Sequence, residues 1–373
     1  MQFIDLSRQC SRLEVDIRAR LDAVYRHQRF IMGPEVKELE QRLAEDTGRR
    51  HVVTCANGTD ALTLALMAYG LSAGDAVFVP AFTFFASAEC VSAAGGTPVF
   101  VDVDPDTFNI CPEALEKAVA ATLERGALRP RAVIPVDLFG LPADYDRLLP
   151  IAERYGLFVL EDAAQSFGGV YSGKKACAFG HVSATSFFPA KPLGCWGDGG
   201  AVFTDDDALA ERLASIRVHG QGKDKYDNVR IGLNSRLDTM QAAILLAKLG
   251  VFDDELSARN RAAAAYTARL GTAVKTPHIP ADAVSAWAQY TLTARSAAHR
   301  EALLRELKAQ GIPTAVYYPT PLHLSTAYKH LNYSEGSLPV CEDLSRRVLS
   351  LPMHPYLTDE EIARVSGAVL ALC

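Results

Sequence analysis

The chain has 373 residues, and at roughly 150 residues per domain this length predicts about two domains. Apolar residues make up 49% of the chain and charged residues 22%, so the composition is that of a folded globular protein and excludes wholesale disorder. The 44 acidic residues outnumber the 38 basic ones and give a formal charge of −6. Because no basic stripe is present to neutralise a phosphate backbone, we do not expect a nucleic-acid partner.

The eight cysteines contain no CxxC pair and no Cys/His cluster with the spacing of a zinc site. We therefore expect ordinary thiols and no metal. The opening MQFIDLSRQCSRLEVDIRARL is amphipathic, and no run of roughly eighteen apolar residues occurs anywhere in the chain. These features predict a cytoplasmic protein that does not bind a membrane.

The first thirty or so residues are predicted to be helical after an extended opening. From about residue 50 to 205, short apolar runs alternate with segments of helical spacing at 60–69, 112–125, 144–155 and 206–217. Several runs are apolar throughout, which favours strands covered by helices on both faces, and hence an α/β fold with a large, mainly parallel sheet. The runs are HVVTCA (51–56), AVFVP (76–80), VFVDVD (99–104), AVIPVDLFG (132–140), LFVLED (157–162), ATSFF (184–188) and GAVFT (200–204).

Past residue 217 the pattern changes to a polar, glycine-containing stretch, HGQGKDKYDNVRIGLNSR, whose length is typical of a functional loop. A helix follows, and then a smaller α+β unit. Its predicted elements are a strand in WAQYTLTA, a helix near 297–310, a strand in IPTAVYYP and a last helix near 358–371. We expect an N-terminal segment (1–30) that packs on the small domain, a large domain (31–250) and a small C-terminal domain (251–373).

Two matches to catalytic motifs do not have the structural context that their chemistry requires. Residues 70–74 fit G-x-S-x-G, but they precede the strand AVFVP, whereas a nucleophile elbow follows a strand and opens a helix. The stretch GGVYSGKK (168–175) has the glycine and lysine spacing of a phosphate-binding loop, but it ends in lysine where magnesium needs a hydroxyl. We interpret the first as a turn and the second as a hairpin.

Three other features follow predicted strands, at the edge where open α/β sheets bind their ligands. Asn57-Gly58-Thr59 opens a helix directly after HVVTCA, which suits a phosphate or a simple helix cap. Asp162 ends LFVLED and is either a cap or the partner of a buried positive group. Lys191, taken alone, is best explained as a surface lysine. Together with Ser186, however, these residues supply what pyridoxal phosphate needs: an amine for a Schiff base, an anion for the pyridine nitrogen and donors for the phosphate.

From FIDL at the start to SLPMHPYL near the end, the chain resembles the DegT/DnrJ/EryC1/StrS family of sugar aminotransferases. These are pyridoxal-phosphate enzymes of fold type I, so the resemblance implies a large three-layer α/β/α domain and a smaller C-terminal α+β domain. The motifs behind the resemblance are GPEVKELE (33–40), CANGTDAL (55–62), PAFTFFASAE (80–89), EDAAQSFG (161–168), SFFPAKPLGCWGDGGA (186–201) and GLNSRLDTMQAA (232–243).

The resemblance assigns roles to individual residues. Lys191 would form the Schiff base with the cofactor and carry out proton transfer, and Asp162 would pair with the ring nitrogen. Phe84 would stack on the ring, and Gln165 would contact its O3′ oxygen. The residues that would hold the phosphate are Gly58, Thr59, Ser186 and, from a neighbouring subunit, Asn234. Because one of them comes from a neighbour, a homodimer is the expected unit.

The resemblance also implies the substrates. L-glutamate would donate the amino group, leaving 2-oxoglutarate, and a nucleotide-linked keto sugar would accept it near Arg236, Tyr317, Tyr318 and His323. The branch that the chain resembles most aminates C3 of UDP-2-acetamido-2-deoxy-3-oxo-D-glucuronate for bacterial surface polysaccharides such as O-antigen. The position of Tyr317 can be histidine in that branch, so this departure leaves the exact sugar open.

Several alternatives remain at this point. The acceptor could be another dTDP-, UDP- or GDP-linked keto-deoxysugar, aminated at C3 or C4. An amino-acid aminotransferase of the same fold would need an arginine clamp for the α-carboxylate, and the sequence does not identify one. A non-catalytic regulator that binds pyridoxal phosphate is the third alternative, but a regulator does not need the proton-transfer lysine that Lys191 would be.

Overall fold

The computed structural model describes residues 1–224 and 226–373. The α-helices of these residues are α1 (Leu6–His27), α2 (Pro34–Thr47), α3 (Gly58–Tyr69), α4 (Ala86–Ala93), α5 (Pro112–Arg125), α6 (Tyr145–Arg154), α7 (Asp207–Ile216), α8 (Thr239–Leu249), α9 (Phe252–Leu270), α10 (Ala297–Ala309), α11 (Pro339–Arg347) and α12 (Asp359–Leu370). Short 3-10 helices cover Leu138–Gly140, Leu322–Leu324 and Thr326–Leu331.

The strands of the described residues are β1 (His51–Cys55), β2 (Asp75–Pro80), β3 (Thr97–Val101), β4 (Arg129–Val133), β5 (Phe158–Asp162), β6 (Val170–Tyr171), β7 (Lys174–Lys175), β8 (Val182–Ser186), β9 (Gly200–Thr204), β10 (Ala283–Val284), β11 (Tyr290–Thr293) and β12 (Val348–Leu351). Each predicted run between residues 50 and 205 overlaps one of these strands. The predicted helices of the same region correspond to α3, α5, α6 and α7.

The large sheet has the strand order β1-β9-β8-β5-β4-β2-β3 in the described part of the chain. Strand β9 runs antiparallel to both of its neighbours, and the remaining pairs are parallel, so the predicted mainly parallel sheet is confirmed. Consecutive residues of β9 point to opposite faces: Val202 packs in one apolar cluster with residues of α3 and α4, and Phe203 in another with residues of α2 and α8. Helices therefore cover both faces of the sheet.

The stretch GGVYSGKK forms the expected hairpin, because β6 and β7 pair antiparallel across it. The stretch IPTAVYYP, in contrast, is not the strand that we predicted. Within it only Ala315 forms a bridge, to Ser350, and Pro313 has no amide hydrogen with which to continue a ladder. The segment instead packs its partly buried Val316, Tyr317 and Tyr318 against the apolar cluster of the large sheet.

The N-terminal segment contacts both parts of the molecule. Leu13 and Ile17 of α1 pack on α8, which the sequence assigns to the large domain. Farther toward the N-terminus, Arg8 forms an ion pair of 2.8 Å with Glu361 of α12. The N-terminal segment thus makes the predicted contact with the small domain and a second contact with the large one. The limits of the domains stay a prediction. Among the helices described, none combines the length and the apolar character needed to cross a bilayer.

The sheet topology decides where the site forms. Strands β5 and β8 are parallel neighbours, and β1 has the same direction because the antiparallel β9 lies between β1 and β8. The residues that follow or end these three strands therefore meet at one edge of the sheet. They are Asn57, Asp162 and Ser186, and this edge is called the rim below.

Candidate active site

The start of α3 forms an anion-binding turn at the rim. The Asn57 side chain caps the helix by accepting a hydrogen bond from the Asp60 amide at 2.8 Å. The first backbone bond of the helix runs from Ala61 N to Asn57 O at 3.0 Å, so the amides of Gly58 and Thr59 precede it and remain available. Asn57 is thus a cap, as in the simpler interpretation, and the two free amides at the positive end of the helix still suit a phosphate.

Close packing requires glycine beside this turn. A Cβ atom on Gly58 would lie 2.6 Å from the Cβ of Ser186, and one on Gly200 would lie 2.4 Å from the carbonyl oxygen of Asn57. The small residues let α3 approach the ends of β8 and β9 closely. As a result, the Ser186 hydroxyl and the amides of Gly58 and Thr59 border the same space.

Asp162 is the buried acid of the rim, with 4% of its surface exposed. Its Oδ2 accepts a hydrogen bond from the Ser87 hydroxyl at 2.7 Å, and its Oδ1 accepts one from the Ala164 amide at 3.2 Å. Burial raises the pKa of Asp162, whereas these two donors and the positive charge of Lys191 lower it. The carboxylate therefore sits where a positively charged group would stabilise it.

Lys191 lies on the loop after β8, partly buried, and its amine interacts electrostatically with Asp162. Burial lowers the pKa of Lys191, and the Asp162 charge only partly offsets this effect. Among the described residues, none accepts a hydrogen bond from the Lys191 amine. A lysine with a lowered pKa and a free amine has the properties of a nucleophile and a proton carrier, not those of a surface residue.

Gln165 is held by its own hydrogen bonds in a defined orientation. Its Oε1 accepts a bond of 2.7 Å from the Phe139 amide, so its Nε2 faces the other way and donates to the Tyr318 hydroxyl at 3.1 Å. Phe139 has a φ of 59°, in the left-handed region that is unusual for a residue with a side chain. Since the Nε2 group has two hydrogens and Tyr318 accepts one of them, the second is free for a ligand.

Aromatic side chains surround the opening of the site. Phe84 is 55% exposed, and its ring centre lies 6.2 Å from that of Tyr318. Tyr317 contacts Tyr318 and, with centroids 6.3 Å apart, Phe3 of the N-terminal segment. The segment predicted as a strand thus brings Tyr318 into contact with Gln165 and Tyr317 beside it.

Three of the predicted residues lie apart from this group. Asn234 is exposed and accepts a hydrogen bond from Arg236, which lines a surface groove that follows α7. His323 is 1% exposed, and its Nε2 lies 3.1 Å from Glu342. No hydrogen bond or ring contact joins any of them to Lys191, Asp162 or Gln165 within the described chain.

Two residues that contact the site have no place in the sequence prediction. Ser87 bonds Asp162 across 75 positions of the chain, and Phe139 orients Gln165. The available signal for Ser87 was its position inside PAFTFFASAE, three residues after Phe84. No sequence signal pointed to Phe139, because its part in the site is played by the backbone.

The residues at the rim fit pyridoxal phosphate. A turn with free amides and a hydroxyl matches the phosphate, a buried carboxylate matches a protonated ring nitrogen, and the free Lys191 amine matches the aldehyde. The absence of a side chain at Gly58 lets the turn lie close to Ser186, so that both can face one phosphate. Gln165 and Phe84 border the same region from two further sides.

Comparisons with known proteins agree with this arrangement. Residues 11–370 match the model of the DegT/DnrJ/EryC1/StrS aminotransferase family. A relative from Pseudomonas aeruginosa, named UDP-2-acetamido-2-deoxy-3-oxo-D-glucuronate aminotransferase, is 46% identical over 370 residues, which are 99% of each chain. A crystal structure of a DegT DnrJ EryC1 StrS aminotransferase from Brucella abortus is 55% identical with a TM-score of 0.96, covering 99% of this chain and 98% of that one.

A more distant structure bears on the cofactor. NtdA from Bacillus subtilis, crystallised with bound cofactor PMP, is 29% identical with a TM-score of 0.89. The match covers 99% of this chain and 83% of that one. PMP is the amine form of pyridoxal phosphate, the cofactor that the residues at the rim fit.

We predict that Gly58→Ala crowds Ser186 and destabilises the protein without cofactor by about 1–3 kcal/mol, the usual cost of overpacking. The matched control is Gly367→Ala in α12, where a Cβ meets no atom within 4 Å. This control should stabilise the protein by about 0.5–1 kcal/mol, because alanine is the better helix former. Chemical denaturation of both variants measures the difference, and equal stability of the two variants would contradict the prediction.

Proposed function

The chain belongs to the DegT/DnrJ/EryC1/StrS aminotransferase family, and on this basis we propose that it moves the amino group of L-glutamate to C3 of UDP-2-acetamido-2-deoxy-3-oxo-D-glucuronate. The observation that carries this choice is the 46% sequence identity, over 370 residues, to the Pseudomonas aeruginosa enzyme named for that sugar. The product would be an amino sugar for a bacterial surface polysaccharide. All eight cysteines are free thiols, which suits a reaction in the reducing cytoplasm.

Pyridoxal phosphate, when bound, supplies an aldehyde that takes up the amino group and a ring that withdraws electrons from the reacting carbon. Lys191 then has two tasks in this chain. Its amine would anchor the cofactor and, once displaced by the amino group of glutamate, would take the proton from Cα as a base and deliver it to the aldehyde carbon of the cofactor as an acid. Burial lowers the pKa of Lys191 and so favours the neutral amine, which is the form that a base requires.

The other residues at the rim would hold the cofactor and orient its ring. Asp162 keeps a proton on the ring nitrogen because its ionised carboxylate stabilises the positive charge there. Gln165 would offer its free Nε2 hydrogen to the O3′ oxygen, and Phe84 would stack on the ring. Gly58, Thr59 and Ser186 would bind the phosphate through two amides and a hydroxyl and so keep the ring near Lys191.

The sugar would enter on the side of the two tyrosines. Tyr318 is joined to Gln165 and therefore lies next to the cofactor, and Tyr317 lies beside it. Arg236 would also contact the sugar nucleotide. His323 would influence the sugar only indirectly, because the contacts of its buried ring are with Glu342 and Tyr333.

We predict that Lys191→Ala abolishes the visible absorbance of the cofactor-loaded protein and lowers the rate of the glutamate half-reaction at least about a hundredfold. The visible band of the unaltered protein should collapse when glutamate is added. Lys174→Ala, an exposed lysine in the hairpin, is the control and should behave like the unaltered protein. If the band of the unaltered protein persists in glutamate, the protein is a regulator that binds the cofactor without turnover.

A second test addresses the sugar. Because the cofactor is held rigidly at both ends, a keto group one ring position away misplaces the reacting carbon by more than 1 Å, which costs about a hundredfold in rate. We therefore expect kcat/KM for the 3-keto uronate to exceed that for a 4-keto sugar nucleotide by about this factor. A preference for the 4-keto compound, or for a neutral 3-keto sugar, would replace the proposed substrate.

The surface position of Asn234 supports a dimer with shared sites. In its own chain the Asn234 side chain is exposed and accepts a hydrogen bond from Arg236. Exposed apolar residues continue this surface, with Val229 at 52% and Ile231 at 85% exposure. A second copy would cover them, and its Asn234 would complete the phosphate site of the first.

Mixed dimers test this arrangement. We predict that joining a Lys191→Ala chain with an Asn234→Asp chain restores activity, because one of the two sites in each mixed dimer has both residues intact. Random assembly should then yield about a quarter of the sites of the unaltered protein. Mixing Lys191→Ala with Asp162→Asn is the control and should restore nothing, since one chain supplies both residues to a site. Equal results for the two mixtures would show that Asn234 serves its own chain.

A further inference from the structure

A pair of buried hydroxyl groups lies beneath Asp162. Ser87, in the first turn of α4, donates to the Asp162 Oδ2 at 2.7 Å. The Thr83 Oγ1 lies 3.2 Å from the Ser87 Oγ, and both side chains are 2% exposed. Since water does not reach them, these hydroxyls must find all their partners within the protein.

The direction of the hydrogen bonds follows from the number of hydrogens. A serine hydroxyl has one hydrogen, and an ionised carboxylate can only accept. If Ser87 donates to Asp162, Thr83 must donate to Ser87, so the chain runs from Thr83 through Ser87 to Asp162. This direction stabilises the ionised carboxylate, because each donor polarises the next.

The surroundings of Asp162 otherwise disfavour its charge. Burial is the largest influence and raises the pKa of Asp162, and the Ser87 hydrogen bond is the largest influence that lowers it. The titratable groups that interact with Asp162 from neighbouring elements are Lys191, Cys90, Tyr145 and Tyr318. Burial raises the pKa of the last three, which leaves them neutral, so Lys191 is the one cation among these groups.

Lys191 cannot keep Asp162 ionised throughout the proposed reaction. Burial lowers the pKa of its amine. The proposed function also requires this amine to be uncharged when it acts as a base. The hydroxyl pair carries no charge to lose. It therefore stabilises the carboxylate equally at every stage.

Resting on the proposed function, we propose that Ser87, supported by Thr83, is a positioning residue that holds the Asp162 carboxylate ionised for the ring nitrogen of pyridoxal phosphate. Ser87 acts through Asp162 and does not touch the reacting atoms. The same short segment carries Phe84, which lies at the opening of the site, so the start of α4 places one residue on the ring and another beneath its acid.

The test is the protonation of the ring nitrogen itself. Protein loaded with pyridoxal phosphate carrying ¹⁵N in the ring is compared by NMR at neutral pH with its Ser87→Ala variant. Loss of a hydrogen bond to a charged group should move the proton equilibrium roughly ten- to a hundredfold from the nitrogen toward Asp162. The ¹⁵N shift of Ser87→Ala should accordingly move toward that of an unprotonated pyridine.

Three further variants separate positioning from packing. Ser87→Thr keeps the hydroxyl and should restore the ¹⁵N shift, whereas Thr83→Val removes only the second donor and should give a smaller change in the same direction. Ser92→Ala, at an exposed serine of α4, is the control and should leave the shift unchanged. Thermal unfolding of each loaded variant shows whether it is folded. If Ser87→Ala does not fold, the ¹⁵N shift of Thr83→Val provides the test.

The outcomes are distinct. An unchanged ¹⁵N shift in folded Ser87→Ala, or equal changes in the alanine and threonine variants, would overturn the role of Ser87 and leave the proposed function intact. Failure of the unaltered protein to bind the labelled cofactor would instead overturn the proposed function, and the role of Ser87 with it.

Discussion

Removal of Asp162 and Lys191 from water is the constraint on which the rest of the site depends. Burial raises the pKa of the carboxyl and lowers that of the amine, so each group loses part of the preference for its charged form that it has in solution. No direct hydrogen bond joins the two groups in the described structure. Each is therefore left able to interact with a ligand that brings an electrophile and a basic ring nitrogen.

The fold supports these groups through rigid neighbours. Asp162 ends a central strand, and its backbone is bonded on both sides, to Pro135 at 2.9 Å and to Asp137 at 3.1 Å. Asp137 is itself fully buried, where it accepts hydrogen bonds from Ser166 at 2.7 Å and Tyr145 at 2.8 Å. These bonds hold the loop that presents the Phe139 amide to Gln165. Displacement of one member would thus misplace the next, which is the usual reason for buried polar networks around a catalytic group.

Residues distant in sequence complete the site from two directions. The segment after α10 packs its tyrosines against the large sheet, so part of the predicted small domain belongs physically to the core of the large one. The N-terminal segment adds Phe3 beside Tyr317 and spans both parts of the molecule through α1. The side of the site that the tyrosines line is thus a composite of several segments, whereas Asp162 and Ser186 come from the large sheet. In the proposed dimer, Asn234 of the second chain would be added to the phosphate turn.

The limits of the sequence prediction follow the same division. The strands of the large sheet and helices such as α5 were predictable because apolar periodicity and capping residues act over a few positions. The prediction of a strand in IPTAVYYP was wrong, because an apolar run does not reveal whether a neighbouring strand is available to pair with it. The family motifs placed Gly58, Asp162, Gln165 and Lys191 near one another, and the structure brings them to one rim.

The sequence by itself determined the α/β class, the order of its elements and the set of chemically active residue types, since these depend on local pattern. Only the tertiary structure decided which groups meet. The Ser87 hydroxyl finds Asp162 across 75 residues, a backbone amide with φ of 59° orients Gln165, and His323 lies against Glu342 and not at the rim. Such pairings depend on how strands and helices are arranged in space. Hydrogen bonds between residues distant in sequence produce no periodic pattern in the chain from which they could be predicted.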